Sequence, residues 1–463
     1  MAGKVSDKHP DWTDRAAEWA MLRHAARGEQ DVKGQGDKYL PMPSGFRAQL
    51  DSGAAMYRAY QTRAQFPDLL APTVRGMVGV IHRTEAQIDM PDAMEGLWER
   101  ATRDGLPLEA LHRRITGELL LTGRYGLLAD AAAEGSDLPF LAGYTAECVI
   151  NWADERDFFV LDESGLERDD FEWKAVKRHR VLRLTEGRYE VETYDNEAKN
   201  EAGAQPTARG GGTLDAIPFV VIGSRDLSVS VDEPPLIGVA RAALAIYRLD
   251  ADYRHQLYMT GQETLFVFGG DAPSAVGAGV VVSIKPEGDG KQADAKYVGP
   301  AGTGIAAHRT AILDERQNAA AAGARLFDAE KKTAESGDAL RIRYAAQTAT
   351  LVSIAQASAQ GLEKGLRHVA VMMGLDPASV VVKPNLSFVD ATLSPEEANK
   401  LVALWQNNAI SYQTLYENLQ RGEVASAERD HEAELALMDK EMVREDLTEV
   451  SGLLPPPANQ PAA

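Results

Sequence analysis

The chain has 463 residues, of which 44% are hydrophobic and 25% charged, and a formal net charge of −20. That is the composition of a globular protein of two or three domains, each able to bury its own core. The acidity argues against a protein whose task is to grip nucleic acid tightly, since such affinity comes mainly from Lys and Arg on phosphates. It is compatible with a conduit whose acidic wall repels phosphate, and equally with a large surface kept soluble. A lone cysteine, Cys148 in AECVINW, excludes an internal disulfide and a cysteine metal cluster, and reads as a buried structural thiol. No apolar run is long enough to span a bilayer and the first residues, MAGKVSDKHPDW, form no signal region, so a soluble cytoplasmic product is expected.

The N-terminal part reads as helices separated by loops, over Trp12–Arg27 and Phe46–Gln65, with an apolar, glycine-containing stretch at Pro72–His82 after which Ile88-Asp89-Met90-Pro91 turns away. Leu106–Thr122 is amphipathic and stops at Gly123, a left-handed cap position. Strands are expected at Tyr125–Asp130, after Pro139 and up to Trp152. The glycines of GRYG do not fit a phosphate loop and no Lys-Ser/Thr follows, so structure is the better reading there. From Asp157 to Tyr194 the signals are short alternating strands: FFVLDE, FEWKAVKRHRVLRLT and RYEVETY. The run Asp154, Glu155, Asp157 reads as a solvated loop, and the polar stretch 196–213, with Gly210 to Gly212, as a mobile loop before a buried strand at Ile217–Ile222.

Two prolines, Pro234 and Pro235, open a segment with no helix breaker between Gly238 and Gly261, which predicts a helix of roughly 40 Å at about 1.5 Å per residue. Arg241, Arg248 and His255 fall seven apart on one line, with Asp252 a turn beyond Arg248. Asp250 and Asp252, two apart on a helix, point in opposed directions and cannot share a metal, so solvent or a neighbouring chain is expected to pair with them. A strand-rich knob follows (ETLFVFGG, GVVVSIKPEGDGK, AKYVGPAGTG), then an alanine-rich helix over Ala306–Phe327 expected to pack against neighbours along its length. The charged link Asp328–Gly337 holds Thr333 and Ser336 as possible caps for a third helix from Asp338 to Met373. In that helix Leu340, Tyr344, Leu351, Ala355, Leu362, Leu366, Val369 and Met373 keep the helical period.

Beyond Gly374 a short strand is expected at Val380–Val382. Helices then start at Ser394-Pro395, with Glu397 completing a capping box, near Ser411, and at about Ala425, the last acidic up to Leu447 before a proline-rich tail. No metalloprotease, Cys-x-x-Cys, nucleophile-elbow or Walker motif occurs, and Gly288 to Gln292 reads as a turn. The histidines lack ligand spacing, so neither metal nor other cofactor is expected, and the chain is not read as an enzyme.

The order of these elements resembles the portal (head-tail connector) proteins of tailed double-stranded-DNA bacteriophages. The residues that carry the resemblance are the Pro-Pro-Leu start at Pro234, Tyr247 with Asp250-Ala251-Asp252-Tyr253, Lys332-Thr333-Ala334-Glu335, and Ser336-Gly337-Asp338-Ala339-Leu340. The resemblance implies an α+β portal-type fold: wing 1–233, first stem helix 234–262, clip 263–305, second stem helix 306–327, tunnel loop 328–337, long helix and wing return 338–389, helical crown 390–447 and flexible tail 448–463. It implies a homo-oligomeric ring, usually dodecameric, at one capsid vertex of the virion after assembly in the host cytoplasm. Its partners would be double-stranded DNA in the channel, the large terminase, which hydrolyses ATP, the head-tail adaptor, the major capsid protein and a scaffold, with no membrane. DNA-facing candidates are then Lys331, Lys332, Thr333, Arg341 and Arg343, against capping and surface solubility as the plain alternative; Lys285, Asp289 and Lys291 are candidates for docking at the clip. Two other readings stay open: an enzyme with a helical lid, and a monomeric adaptor or scaffold-dependent assembly protein binding through the acidic C-terminal helix.

Overall fold

The computed structural model describes residues 3–47, 50–132, 138–200, 204–261, 264–268, 294–298, 302, 304–323, 337–386, 395–421, 424–426 and 429–440. The chain divides into two compact units, Met1–Leu386 and Ser387–Ala463. Helices and antiparallel sheets mix in the first, an α+β arrangement.

Helices α1 (Pro10–Arg27), α2 (Glu29–Gly34), α3 (Ser44–Arg47), α4 (Leu50–Arg63) and α5 (Leu70–Ile81) come first, then strand β1 (Gln87–Asp89) and helix α6 (Leu108–Thr122). Trp19, Leu22 and Ala25 give α1 a buried stripe at three-residue spacing, and the Trp19 indole N–H donates to Thr122 O at the end of α6 (3.0 Å). Gly123 caps α6 at φ 74°, the left-handed region glycine enters without penalty.

The core is a three-stranded sheet of β2 (Arg124–Asp130), β3 (Phe140–Thr145) and a strand far along the chain, in the order last-first-second. Next come β4 (Val149–Trp152), β5 (Phe158–Asp162), β6 (Gly165–Asp169), β7 (Glu172–Val176), β8 (Arg178–Thr185), β9 (Arg188–Asp195), β10 (Ala198–Lys199) and that far strand, β11 (Phe219–Gly223). β11 and nearly all of β2 are buried, which is why GLLA and FVVI read as apolar runs rather than alternations. Strands β10-β9-β8-β5-β4 form a second antiparallel sheet.

Two expectations for this region change. FEWKAVKRHRVLRLT is two strands, β7 and β8, broken at Lys177, and β7 pairs in a hairpin with β6, whose charged sequence GLERD carried no strand signal. The stretch after Asn196 is held: bridges join Val191 to Ala204 and Thr207 to Thr213, and the Arg209 N–H donates to Met372 O (2.7 Å).

Helix α7 (Ile237–Thr260), strands β12 (Thr264–Phe268) and β13 (Asp294–Val298), helices α8 (Ile305–Ala321) and α9 (Gly337–Met372) and strand β14 (Val381–Lys383) complete the first unit. β12 pairs with β13 and β14 with β1, both antiparallel. α9 lies on the three-stranded sheet, burying Leu351, Ile354, Ala355, Leu362, Leu366 and Val369; each large apolar side chain so buried contributes roughly 1.5–3 kcal/mol. Gly361 and Gly365, one turn apart, let it in close: a Cβ there would lie 2.4 Å from Ile222 Cδ1 and 2.6 Å from Leu127 Cδ2.

The second unit contains α10 (Pro395–Gln406), α11 (Tyr412–Arg421) and a helix over 431–440. Ser411 Oγ accepts the Thr414 N–H (3.1 Å) and Asp430 Oδ1 the Ala433 N–H (2.7 Å), the usual satisfaction of a first-turn donor. The expected cap Ser394 lies outside the described residues.

Candidate functional site

Helix α7 is anchored by its polar line. Arg241 pairs with Glu18 of α1 (2.9 Å), and Arg248 Nε donates to Tyr39 O (2.9 Å). The Tyr60 hydroxyl donates to Asp252 Oδ1 (2.5 Å), and burial together with that bond raises the phenol's pKa above its ordinary value. Asp250 accepts from Arg254 Nε (2.7 Å) and from the Gln65 N–H (2.7 Å). The polar line therefore faces α1 to α4, and both aspartates find partners within this chain rather than on a neighbour. α1 is fixed in turn by Arg23, which sits between Glu118 (2.6 Å) and Glu147 (2.8 Å). Burial opposes the Arg23 charge, but the two carboxylates outweigh it and hold its pKa above the ordinary value.

α8 runs back along α7. A Cβ on Gly238, near the start of α7, would lie 2.9 Å from Ala322 Cβ, while Gln256, near its end, approaches Gly304. Small residues at the contact let the axes come close. The rest of α8 is open: Ala319 is its one buried residue, Leu313 is exposed, and on the far end of α7 so are Leu257, Tyr258 and Met259. Among the described residues, the expectation that this helix packs along its whole length is met chiefly on the α7 side. Phe266 and Phe268 of β12 are exposed as well.

Of the candidate residues, Arg341 and Arg343 stand in the first two turns of α9. Lys331, Lys332, Thr333, Lys285, Asp289 and Lys291 lie outside the described residues, as does Ser336. Cys148 is half-buried, and burial raises its thiol pKa.

A buried polar chain joins α5, α6 and α9. His82 Nε2 meets Thr116 Oγ1 (2.8 Å), which meets Ser358 Oγ (2.9 Å), and His112 packs edge-on against His82 with ring centroids 4.6 Å apart. Burial, then Arg113, pushes the His82 pKa down to about 4; burial, then His82, pushes that of His112 down to about 3. Both rings are neutral at pH 7, and this is a packing element of the core. Among the described residues no group of three or more His, Cys, Asp or Glu could hold a metal ion, and no helix is long and apolar enough to cross a membrane.

Residues 235–373 match a family described as a domain of unknown function (DUF4055). The matched span runs from the start of α7 to the end of α9. Among solved structures, the neck of an empty GTA particle computed with C6 symmetry aligns over 78% of this chain and 91% of that chain, at 13% identity and a TM-score of 0.40. No curated protein matches.

Sequence reasoning missed two exposed features: the β6–β7 hairpin with Phe171 and Trp173, and a cleft bordered by Arg103 and Arg114. The aromatic pair inside the charged run ERDDFEWK was a usable signal, because large apolar residues between charges fit neither a solvated loop nor a core strand.

Proposed function

We propose that the chain is a portal subunit, a structural component of a phage-type head-tail connector that closes with copies of itself into a ring at one capsid vertex. Double-stranded genomic DNA would be packaged and ejected through the channel. The observation that supports this most is the α7–α8 pair: a long helix rooted in the body and a returning helix almost bare except on one side. Bare, partly apolar helix faces fit side-by-side contacts between copies, and a head-to-tail contact of that kind closes a ring when its rotation allows. In this reading the chain is not an enzyme, takes no cofactor and leaves ATP hydrolysis to the large terminase. By the resemblance alone, the segment between β12 and β13 would dock terminase and then adaptor, and residues 328–337 would face the DNA. Major capsid protein and scaffold surround the ring, whose subunit number by resemblance alone is twelve, and the chain ends in the virion.

Shortening 328–337 tests the channel role. Rings should still form while the amount of packaged or retained DNA falls; normal packaging by such rings would remove the assigned role from this loop.

A further inference from the structure

Among the described residues β3 is an edge strand of the three-stranded sheet. Leu141 directs its N–H away from β2, to Ala101 O (2.8 Å). In an antiparallel ladder this orientation repeats every second residue, so Gly143, opposite Leu127, also turns its N–H and C=O outward. The edge opens into a cleft of about 460 Å³, within the size range of ligand sites. Arg103 and Arg114 stand on its rim with Asp104, whose carboxylate feels the Arg114 charge; among the described residues neither arginine forms an ion pair, whereas Arg180 on the opposite wall is held between Asp130 (2.5 Å) and Glu163 (2.9 Å). The Tyr125 ring covers Gly143 so closely that a Cβ there would lie 1.8 Å from its hydroxyl, and glycine keeps the edge bare.

The β6–β7 hairpin rises from Glu163, a residue of this same cleft. Its register puts Leu166, Trp173 and Ala175 on one face, interrupted by Arg168, with Phe171 at the turn. Leu166 is 67%, Trp173 63% and Phe171 91% exposed. A two-stranded hairpin with a bare apolar face is marginal in water and needs cover. At its tip Asp169 pairs with Lys174, while among the described residues Asp170 and Glu172 form no ion pair.

We propose that the hairpin of one copy docks in the β3 cleft of a second copy. Phe171 and Trp173 cover the apolar wall around Leu111 and Phe140, Asp170 and Glu172 meet Arg103 and Arg114, and a free hairpin edge adds to β3 at Gly143. The occupant follows from complementarity: two acids without an ion pair among the described residues beside exposed aromatics on the hairpin, and two arginines against one carboxylate, Asp104, beside an open strand edge on the cleft rim. Because the hairpin leaves from the rim of its own cleft, a copy that receives a hairpin presents its own to the next. The inference rests on the self-assembly proposed above.

The test mixes full-length Glu172→Cys protein with differently tagged full-length Arg103→Cys protein under mild oxidation, with each variant plus unmodified protein as controls for Cys148. A disulfide-linked two-chain band carrying both tags, formed in the double mixture alone and lost when Phe171→Ala and Trp173→Ala are added, is the expected result. Light scattering of the unmodified protein separates the two ideas. An oligomer that gives no mixed band and keeps its mass with Phe171→Ala and Trp173→Ala overturns the docking and leaves self-assembly standing; a monomer at every concentration overturns both.

Discussion

Helices α8 and α9 are neighbours in the chain and opposites in environment. From Leu351 to Met373, α9 buries a leucine, isoleucine, alanine or valine on almost every turn against the three-stranded sheet and α6. α8 covers α7 and otherwise meets solvent, with one buried residue. The first helix is completed by its own chain. The second keeps an open face, the one that the proposed ring would cover.

Acid should widen that contrast most. His82 and His112 lie in the core at depressed pKa values of about 4 and 3, and His368 on α9 is pushed down to about 4 by burial and Lys364. A base held neutral in the native state takes no proton until well below pH 6.5, while the unfolded chain does so from about pH 6.5 downward. The stability these rings contribute is therefore full above about pH 6.5 and is lost as pH falls toward the folded values. At pH 5 the loss is about 2 kcal/mol for a ring as buried as His112 and less for the other two. Urea midpoints at pH 7 and pH 5 measure it, and His112→Gln should narrow the gap; equal midpoints would contradict the neutral-core account.

Gly361→Val comes next. Its side chain would start 2.4 Å from Ile222 Cδ1, and overpacking of this kind costs about 1–3 kcal/mol, read as a lower urea midpoint. An unchanged midpoint would mean that α9 can lift from the sheet without cost. The smallest effect on the chain itself is expected for Leu313→Asp with Met259→Asp, both exposed. Stability should move by no more than about 0.5 kcal/mol per site, while the mass of any assembly falls. Lost stability with unchanged assembly would reverse the roles assigned to the two regions.

Most of the frame was legible in the sequence because its signals are local. Gly123 ended α6, the prolines before Leu236 opened α7, and the apolar period of α9 marked the face that is buried. The hairpin strand β6 was not legible, since GLERD has one apolar residue and is a strand only because β7 pairs with it. Nor were the partners of the α7 polar line: sequence spacing put Arg241, Arg248 and Asp252 near one face, but that this face meets α1 to α4 depends on contacts about 190 to 220 residues apart in the chain. The cleft at β3 escaped for the same reason, as Arg103, Arg114 and Gly143 meet only when the sheet forms.

The mass of the purified full-length protein by light scattering or native mass spectrometry, followed by images of any large particle, tests the central claim most directly. A closed ring with a central channel is the predicted result. A monomer at all concentrations, with or without the proteins of a capsid around it, would contradict it and turn attention to the adaptor reading.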